Sequence, residues 1–499
     1  MIRAIDARIG RVPMYRLVLI LLAALAAIAV VLSAVGVLFF TPLELLVTGG
    51  IAVGLSWLVN RIAAPLLRVT PHDESAFITG LLLFFIMKPG TELGDLAAVA
   101  VAATVAAVSK YVLVIRGRHV FNPAAIGAFV ATLTGLGVSY WWVGSESLFW
   151  FVLVAGGVVV WRVRKVGMAV LFVAAVCAVM IPTLLTNGMA VPSALTTPLL
   201  STAAVFFAAF MLTEPLTLAP RRWQQLVVAV VTGVLFALPY HVGPVYSSPE
   251  LALLVGNLLA FLVGQRRGVA LTTREARRLG GDVHELVFDA AAPVRFRAGQ
   301  YVELHVPHRT GDRKGVRRTF SVVSAPSDGR EVRVAFRVPE PASSAKRALL
   351  ELVTGDTIRA TVVAGDFVLP EDGDRKLALV AAGIGITPFV SQIREERARG
   401  RNRDIVLVYA VSDPRDIVYA DEFAGIRVLV SSRVEPDTVP DGWRWIGPER
   451  VDAETVRRAV PDLAERDVYV SGPPAFVDDL RRRLRPTARR VRTDAFSGY

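Results

Sequence analysis

Apolar positions are distributed along this chain in two different ways. Through residue 264 they come in long runs separated by short polar breaks. Ten such stretches predict apolar helices, at roughly 15–33, 41–59, 75–88, 95–114, 122–138, 148–161, 167–185, 198–213, 224–239 and 250–264, read as ten membrane spans. Several fall short of the ~20 residues that a perpendicular helix needs. Short, Gly- or Pro-interrupted spans are common where helices break around a bound ligand. Beyond Arg267 charge density rises and alternation over 283–288 and 300–306 predicts β-strands. Turn signals at Gly280–Gly281, Pro307–Gly315 and Asp328–Gly329 suit a small β-barrel.

From residue 375 the pattern changes once more. A buried apolar strand, Leu377–Ala382, runs into Gly383-Ile384-Gly385-Ile386-Thr387-Pro388 and a helix beginning near Phe389. Strands Ile405–Ala410 and Arg427–Ser431 follow, then a helical stretch 453–464, and Val468–Val470 before Ser471-Gly472-Pro473-Pro474. Strands alternating with helices imply a parallel sheet whose ligand crevice lies at the carboxyl ends of its strands. The expected fold is multidomain: an all-α ten-helix transmembrane domain over 1–265, a β-barrel over 268–371 and an α/β nucleotide-binding domain over 372–499. The join near Gln265 to Val269 is too short for a flexible linker.

Composition narrows the picture. The chain has 499 residues, 54% hydrophobic and 20% charged, with a mean hydropathy of +0.51. These values exclude a disordered chain and argue against an ordinary soluble enzyme. One cysteine, Cys177, excludes an internal disulfide, a cysteine-ligated iron–sulfur cluster and a Cys-rich zinc site. The formal charge of +12 has a topological explanation. Basic residues precede the first span (Arg3, Arg8, Arg11, Arg16). They also follow the second (Arg61, Arg68), fourth (Arg116, Arg118), sixth (Arg162, Arg164, Lys165), eighth (Arg221, Arg222) and tenth (Arg266, Arg267). The opposite loops hold only Lys88. Lys and Arg favour the cytoplasmic side, so both termini and the hydrophilic half are expected there, and nucleic acid is not an expected partner. The apolar stretch Leu17–Phe40 is longer than a signal-peptide core, so it reads as a retained span.

Two strand-end loops carry the clearest chemistry. Gly383 and Gly385 let the backbone approach a pyrophosphate, and the helix behind them offers free N–H groups and a positive dipole end. A second loop, Gly472-Pro473-Pro474, serves the same sheet edge. Residues 269–499 resemble the ferredoxin–NADP reductase superfamily in its flavin-reductase branch. The flavin signature Arg-x-Tyr-Ser stands here as Arg318-Thr319-Phe320-Ser321. The resemblance implies FAD, with Arg318 on its phosphate, Phe320 against the isoalloxazine and Ser321 at N5. The second phosphate segment resembles Ser343-Ser344-Ala345-Lys346, and Gly-Pro-x-Gly-x-Phe is degenerate as Ala364-Gly365-Asp366-Phe367. Gly383, Gly385, Thr387 and Pro388 match the nicotinamide-cofactor loop. Ser471-Gly472-Pro473 matches Cys-Gly-Pro, with Ser in place of Cys. Phe496-Ser497-Gly498-Tyr499 resembles the C-terminal aromatic that covers the flavin, without deciding which ring does so. Ser321, Ser471 and Tyr499 are therefore the candidate catalytic residues. Ser432-Arg433 could pair with a 2′-phosphate, with a slight lean to NADPH over NADH.

The membrane half resembles a second family. His72-Asp73-Glu74-Ser75, Phe121-Asn122-Pro123-Ala124-Ala125 and Met211-Leu212-Thr213-Glu214-Pro215 resemble, in order and spacing, the NqrB/RnfD flavin-carrying membrane subunits. Those attach FMN to the Thr of Asp-x-x-Ser/Thr-Gly-Ala-Thr, which makes Thr197 the matching residue. Here Val191 replaces the Asp and Leu195 the Gly, leaving covalent FMN, non-covalent flavin and no flavin open. Ser193, Thr196 and Thr197 equally suit a helix N-cap. His72, His119 and His241 lie on different loops, which argues against bis-histidyl haem. The implied activity is an NAD(P)H-dependent flavoprotein oxidoreductase. It passes electrons via FAD into a membrane flavin module, and on to a quinone or an extracytoplasmic acceptor protein. A tethered flavin or ferredoxin reductase with an inert lipid anchor, and a redox-driven ion or solute transporter, remain alternatives.

Overall fold

The computed structural model describes residues 13–66, 71–115, 118–243, 245–263, 268–306, 308 and 316–496. The chain divides into two compact units, Met1–Arg267 and Gly268–Tyr499. Several residues invoked above lie outside the described residues: Arg3, Arg8, Arg11, Arg68, Arg116, Gln265, Arg266, Arg267, most of the Pro307–Gly315 turn, and Ser497 to Tyr499.

The first unit is helical. Its helices are α1 (Met14–Ala34), α2 (Pro42–Leu66), α3 (Asp73–Ile86), α4 (Leu93–Val112), α5 (Pro123–Leu133), α6 (Glu146–Arg162), α7 (Val166–Thr186), α8 (Val191–Leu200), α9 (Arg222–Ala237) and α10 (Pro249–Val263). Between α8 and α9 lie a helical turn, Ala204–Phe206, and a π-helix, Phe207–Leu212. The expectation of ten spans is corrected. Among the described residues four helices, α1, α2, α4 and α7, are long and apolar enough to cross a membrane; a fifth would be α8 with Ala204–Leu212, a pair bent by 40°. The reason is length. The 11 residues of α5 rise about 17 Å against about 30 Å of hydrocarbon. Hydropathy alone does not measure where a helix is stopped.

The stops are visible locally. Asn122 caps α5 by accepting the Ala125 N–H at 3.0 Å. The break before Ala204 is held by Thr202, whose Oγ1 accepts the Ala204 N–H at 3.2 Å. Gly144 lies so close to that break that a Cβ on it would stand 2.4 Å from the Ala203 nitrogen.

The second unit contains two six-stranded sheets. Strands β1 (Val269–Gly280), β2 (Val283–Ala290), β3 (Tyr301–His305), β4 (Arg317–Ser321), β5 (Glu331–Arg337) and β6 (Thr357–Ala364) form one of them. Its order is β4-β3-β6-β1-β2-β5, with antiparallel pairing throughout. A bridge between Val322 and Val334 brings the chain leaving one edge strand onto the other edge. Leu271, Leu286, Phe288, Val302, Leu304, Phe320, Val334 and Phe336 fill the core of this sheet. A short helix, α11 (Ser344–Leu350), follows β5.

The second sheet comprises β7 (Leu377–Ala382), β8 (Ile405–Ala410), β9 (Arg427–Ser431), β10 (Trp443–Trp445), β11 (Asp467–Gly472) and β12 (Arg490–Ala495). All neighbours are parallel, in the order β10-β9-β8-β7-β11-β12. Leu377 to Ala381 are each fully buried, as expected of a parallel strand covered on both faces. Helices α12 (Thr387–Ala398), α13 (Ala453–Ala459) and α14 (Pro474–Leu484) connect the strands. The helix expected over 453–464 ends at Ala459, just before Pro461, which cannot extend it. The edge strand β12, built on Arg490-Val491-Arg492-Thr493-Asp494-Ala495, is an addition the hydrophobic pattern does not announce.

Candidate functional site

The parallel sheet grows in one direction from β7 through β8 and β9 to β10, and in the other through β11 to β12. Its topological switch point therefore lies between β7 and β11, where ligand crevices form at the carboxyl ends of strands. The two glycine loops leave from these two strands. After β7 the chain turns through Gly383–Ile386, with Gly383 at φ +53°, and starts α12 at Thr387, whose hydroxyl donates to the Ile384 carbonyl at 2.9 Å. Pro388 occupies the first turn, where its missing N–H costs nothing. A Cβ on Gly385 would lie 2.4 Å from the Ser471 carbonyl oxygen. The two loops are packed backbone to backbone, and only glycine fits at 385. Pro473 precedes α14 across the cleft.

Ser471 is fully buried, and its Oγ has no hydrogen-bond partner among the described residues. Ser321, 3% exposed, is the same: its Oγ is buried and unpartnered. A buried hydroxyl without a partner costs about 1–3 kcal/mol, and these two, one at the end of β4 in the antiparallel sheet and one in β11 of the parallel sheet, are candidates for a bond to a ligand.

The strand that carries Ser321 alternates. Arg318 (5% exposed) and Phe320 (8% exposed) are buried, and Thr319 is the side chain β4 exposes. Arg318 donates from Nη1 to the Arg317 carbonyl at 2.7 Å. Phe320 tilts against Phe336 at 5.7 Å within the sheet core, because its register partner is the buried Val302. The resemblance laid this ring against a flavin; the structure gives it a core contact. The aromatic that pairing places beside Ser321 is Tyr301, its direct partner across β3 and β4. The sequence reading missed Tyr301, although an alternating strand ending opposite Ser321 could have signalled it. Its half-buried ring lies 3.2 Å from where a Cβ of Gly365 would be. Burial, with Arg317 adding to it, lowers His305 at the far end of β3 below the usual histidine range.

The turn after β7 touches β5, and α12 is tied to the segment that follows Ser321. Ser391 donates to the Ser324 carbonyl at 2.7 Å, and Arg394 to the Val323 carbonyl at 3.3 Å. Gln392 Nε2 donates to the Phe367 carbonyl at 2.6 Å. Tyr469 donates to the Val368 carbonyl at 3.0 Å, and burial pushes its hydroxyl up to about 12.

The remaining candidates are placed as follows. Ser343 caps α11 by accepting the Lys346 N–H, and the Lys346 ammonium donates to the Arg337 carbonyl. Ser432 is buried and donates to the Val434 carbonyl at 2.6 Å, leaving Arg433 exposed beyond the end of β9. The Phe496 N–H donates to the Gly472 carbonyl at 3.0 Å, which brings this half-buried ring to the second glycine loop; Tyr499 lies outside the described residues. Thr197 belongs to the other unit. Its hydroxyl donates to the Ser193 carbonyl of its own helix at 2.8 Å, and Thr196 bonds back to Pro192 at 3.1 Å. None of Ser193, Thr196 and Thr197 caps a helix, because α8 begins at Val191 with Ala190 at the cap position. Asn122, besides capping α5, donates from Nδ2 to Glu214 at 2.8 Å.

Comparison with known proteins bears on the second unit. A family model for an oxidoreductase NAD-binding domain matches residues 379–482. The reductase subunit of an aromatic O-demethylase from Amycolatopsis is 28% identical over 247 residues, covering 46% of this chain and 70% of that protein. The beta subunit of a heme-dependent oxidative N-demethylase from Ectopseudomonas mendocina is 30% identical over 227 residues, covering 44% of this chain and 67% of that protein. The crystal structure of an Amycolatopsis cytochrome P450 reductase is 27% identical, covers 46% of this chain and 70% of its own, and superposes with a TM-score of 0.40. Of other relatives, such as the NADH oxidoreductase HCR of Escherichia coli, the chain spans about half the length (53%).

Proposed function

We propose what this chain does from one premise: through its carboxyl-terminal half it belongs to the ferredoxin–NADP reductase-like oxidoreductases. It is an NAD(P)H-dependent flavin oxidoreductase. The antiparallel sheet, closed at the Val322–Val334 bridge, acts as the flavin-holding barrel, and the switch-point crevice receives the nucleotide. The observation that carries this reading is the pair of buried, unpartnered hydroxyls, Ser321 and Ser471, each on one of the two sheets.

The residues present fit both cofactors. Arg318 supplies a fixed positive charge for the FAD phosphate, while Ser321 offers a hydroxyl at the ring edge and Tyr301 an aromatic wall. Gly383, Gly385 and Gly472 keep side chains out of the pyrophosphate path, and the N-terminus of α12 faces that charge. Ser471 offers the second hydroxyl at the nicotinamide end, with Phe496 beside it. FAD held by these residues would supply what side chains cannot, the capacity to accept two electrons as a hydride and to give them up singly. The protein's part is to orient the two rings and to exclude water. Arg433 selects for a 2′-phosphate, hence a preference for NADPH.

The helical unit extends this reading. The reductase half lies in the cytoplasm, with the helices in the membrane. Electrons pass from FAD into an NqrB/RnfD-like module, where Thr197 is the candidate FMN position, and on to a quinone or an extracytoplasmic acceptor. A second reading is favoured by the relatives, one named as the reductase subunit and the other as the beta subunit of a demethylase. In it the helices only anchor the reductase, and a separate oxygenase-type or ferredoxin protein takes the electrons. A cofactor inventory of the purified full chain tests both. One FAD per chain that bleaches on NAD(P)H addition is required by either; a second flavin, or a quinone reduced in lipid vesicles, supports the first. A chain that binds no FAD overturns the proposal.

A further inference from the structure

The loop leaving β8, residues 411–423, grips the antiparallel sheet at a place the cofactor-binding residues do not use. Its backbone crosses the β1–β2 turn so closely that Cβ atoms on Gly280 and Gly281 would stand 2.8 Å from the Arg415 carbonyl oxygen and 2.3 Å from Asp416 Oδ1. Arg337 on β5 pairs with Asp416 at 3.2 Å. Val283 and Ala335 from the antiparallel sheet share one apolar cluster with Val418 and Phe423 from the loop.

At the centre is a buried carboxylate. Glu285 on β2 is 1% exposed; its Oε1 accepts the Tyr419 hydroxyl at 2.8 Å. Its Oε2 lies only 3.9 Å from Arg277 and 4.0 Å from Arg333, too far for hydrogen bonds. Among the described residues, Tyr419 is thus the group that bonds this carboxylate directly. It does so from a left-handed backbone, φ +61°, a conformation a non-glycine residue holds only where its surroundings over-determine it. Burial and the Glu285 charge raise the Tyr419 phenol well above its usual range, so it stays a donor. Three residues on, Glu422 accepts from Arg394 at 2.6 Å, and the same guanidinium donates to the Val323 carbonyl. Arg394 belongs to α12, which starts at the Gly383 turn, and Val323 is two residues beyond Ser321. A path of direct bonds therefore runs from the Tyr419 loop to both halves of the cleft.

We infer that Tyr419, acting through Glu285, is a positioning residue for hydride transfer. The clasp sets the angle between the two sheets, and with it the separation of the Ser321 and Ser471 edges that hold the reacting rings. This rests on the reductase reading above. A clasp at the side of the cleft fits such a role because small displacements between reacting atoms are costly in rate while leaving each ligand's own contacts intact.

The test uses the full chain in detergent, loaded with FAD, as Tyr419→Phe, Glu285→Ala and Glu285→Gln. Single-turnover reduction by NADPH or NADH is followed together with the charge-transfer absorbance of the nucleotide–flavin complex and amide exchange over 280–281 and 415–419. Tyr419→Phe is expected to slow reduction about tenfold, to weaken the charge-transfer band and to speed exchange in both segments, with FAD content and nucleotide affinity unchanged. Glu285→Ala should do the same, and the double variant should be no slower than either single one. Glu285→Gln, which keeps an acceptor for the Tyr419 hydroxyl, should stay within about threefold of the unmodified chain. If Tyr419→Phe fails to fold, the Glu285→Gln and Glu285→Ala pair decides. An unchanged rate and charge-transfer band with only a lower melting temperature overturns the inference. A wild-type chain that binds FAD yet is reduced by neither nucleotide overturns the reductase reading, and the inference with it.

Discussion

The two halves of this chain treat their candidate hydroxyls in opposite ways. In the carboxyl-terminal unit, Ser321 and Ser471 are buried with no hydrogen-bond partner among the described residues. In the helical unit, Thr196 and Thr197 bond back to carbonyls of their own helix, a pattern open to Ser and Thr within helices. The first two hydroxyls are left for another group to bond; the second two are spent on their own helix. The motif match at Thr197 lacks the Asp and the Gly of its pattern, with Val191 and Leu195 in their places, whereas the match at Ser321 is closer and its hydroxyl has no partner among the described residues.

The sharpest way to break that contrast is Gly385→Val. The added carbons meet the Ser471 carbonyl, so the loops must part, and nucleotide-driven flavin reduction should fall by about 100-fold or more. Photoreduction, which needs no nucleotide, should still bleach the FAD. If nucleotide reduction survives, the cleft is not where the two loops meet. Next comes Arg318→Ala. Losing a charge-assisted phosphate contact of about 1.5–3 kcal/mol should lower FAD affinity about 10- to 100-fold, measured as flavin retained after gel filtration.

Ser321→Ala and Ser471→Ala are smaller and two-signed. Removing a hydroxyl that has no partner without cofactor should leave the apo chain as stable or slightly more so, by up to about 1 kcal/mol. Reduction of the loaded chain should meanwhile slow several-fold. A fall in apo melting temperature would mean that the hydroxyl is bonded within the protein after all. Smallest is Thr197→Ala, expected to change stability by less than about 0.5 kcal/mol. In-gel flavin fluorescence after denaturation sharpens it: a signal in the unmodified chain that disappears in this variant would put covalent FMN on the helical half and erase the contrast.

Much of this site is legible from residue order. The strands Leu377–Ala382, Ile405–Ala410 and Arg427–Ser431 stand where the apolar runs place them, since a fully buried parallel strand has few other ways to be written. Gly383, Gly385 and Gly472 were identifiable because glycine at a strand end answers to a backbone requirement. Phe320 shows the limit. A motif assigns it a ring to cover, whereas the register against Val302 turns it into the core, and register is a property of two strands. Tyr301 is the converse, ordinary until its partner strand is known. The helix count failed for a related reason, since caps and breaks such as those at Asn122 and Thr202 depend on neighbouring groups as much as on hydropathy.

By itself the amino-acid order determined the division into an apolar helical half and a mixed α/β half, the location of the glycine loops and the class of chemistry they suit. These follow from local periodicity and backbone freedom, which each segment carries alone. Only the tertiary structure decided which strands flank the switch point, which hydroxyls are left unpartnered and that Tyr419 reaches Glu285, 134 residues away in the chain. Those are relations between segments, fixed by sheet order and packing, and no local pattern encodes the distance between two groups that meet only after folding.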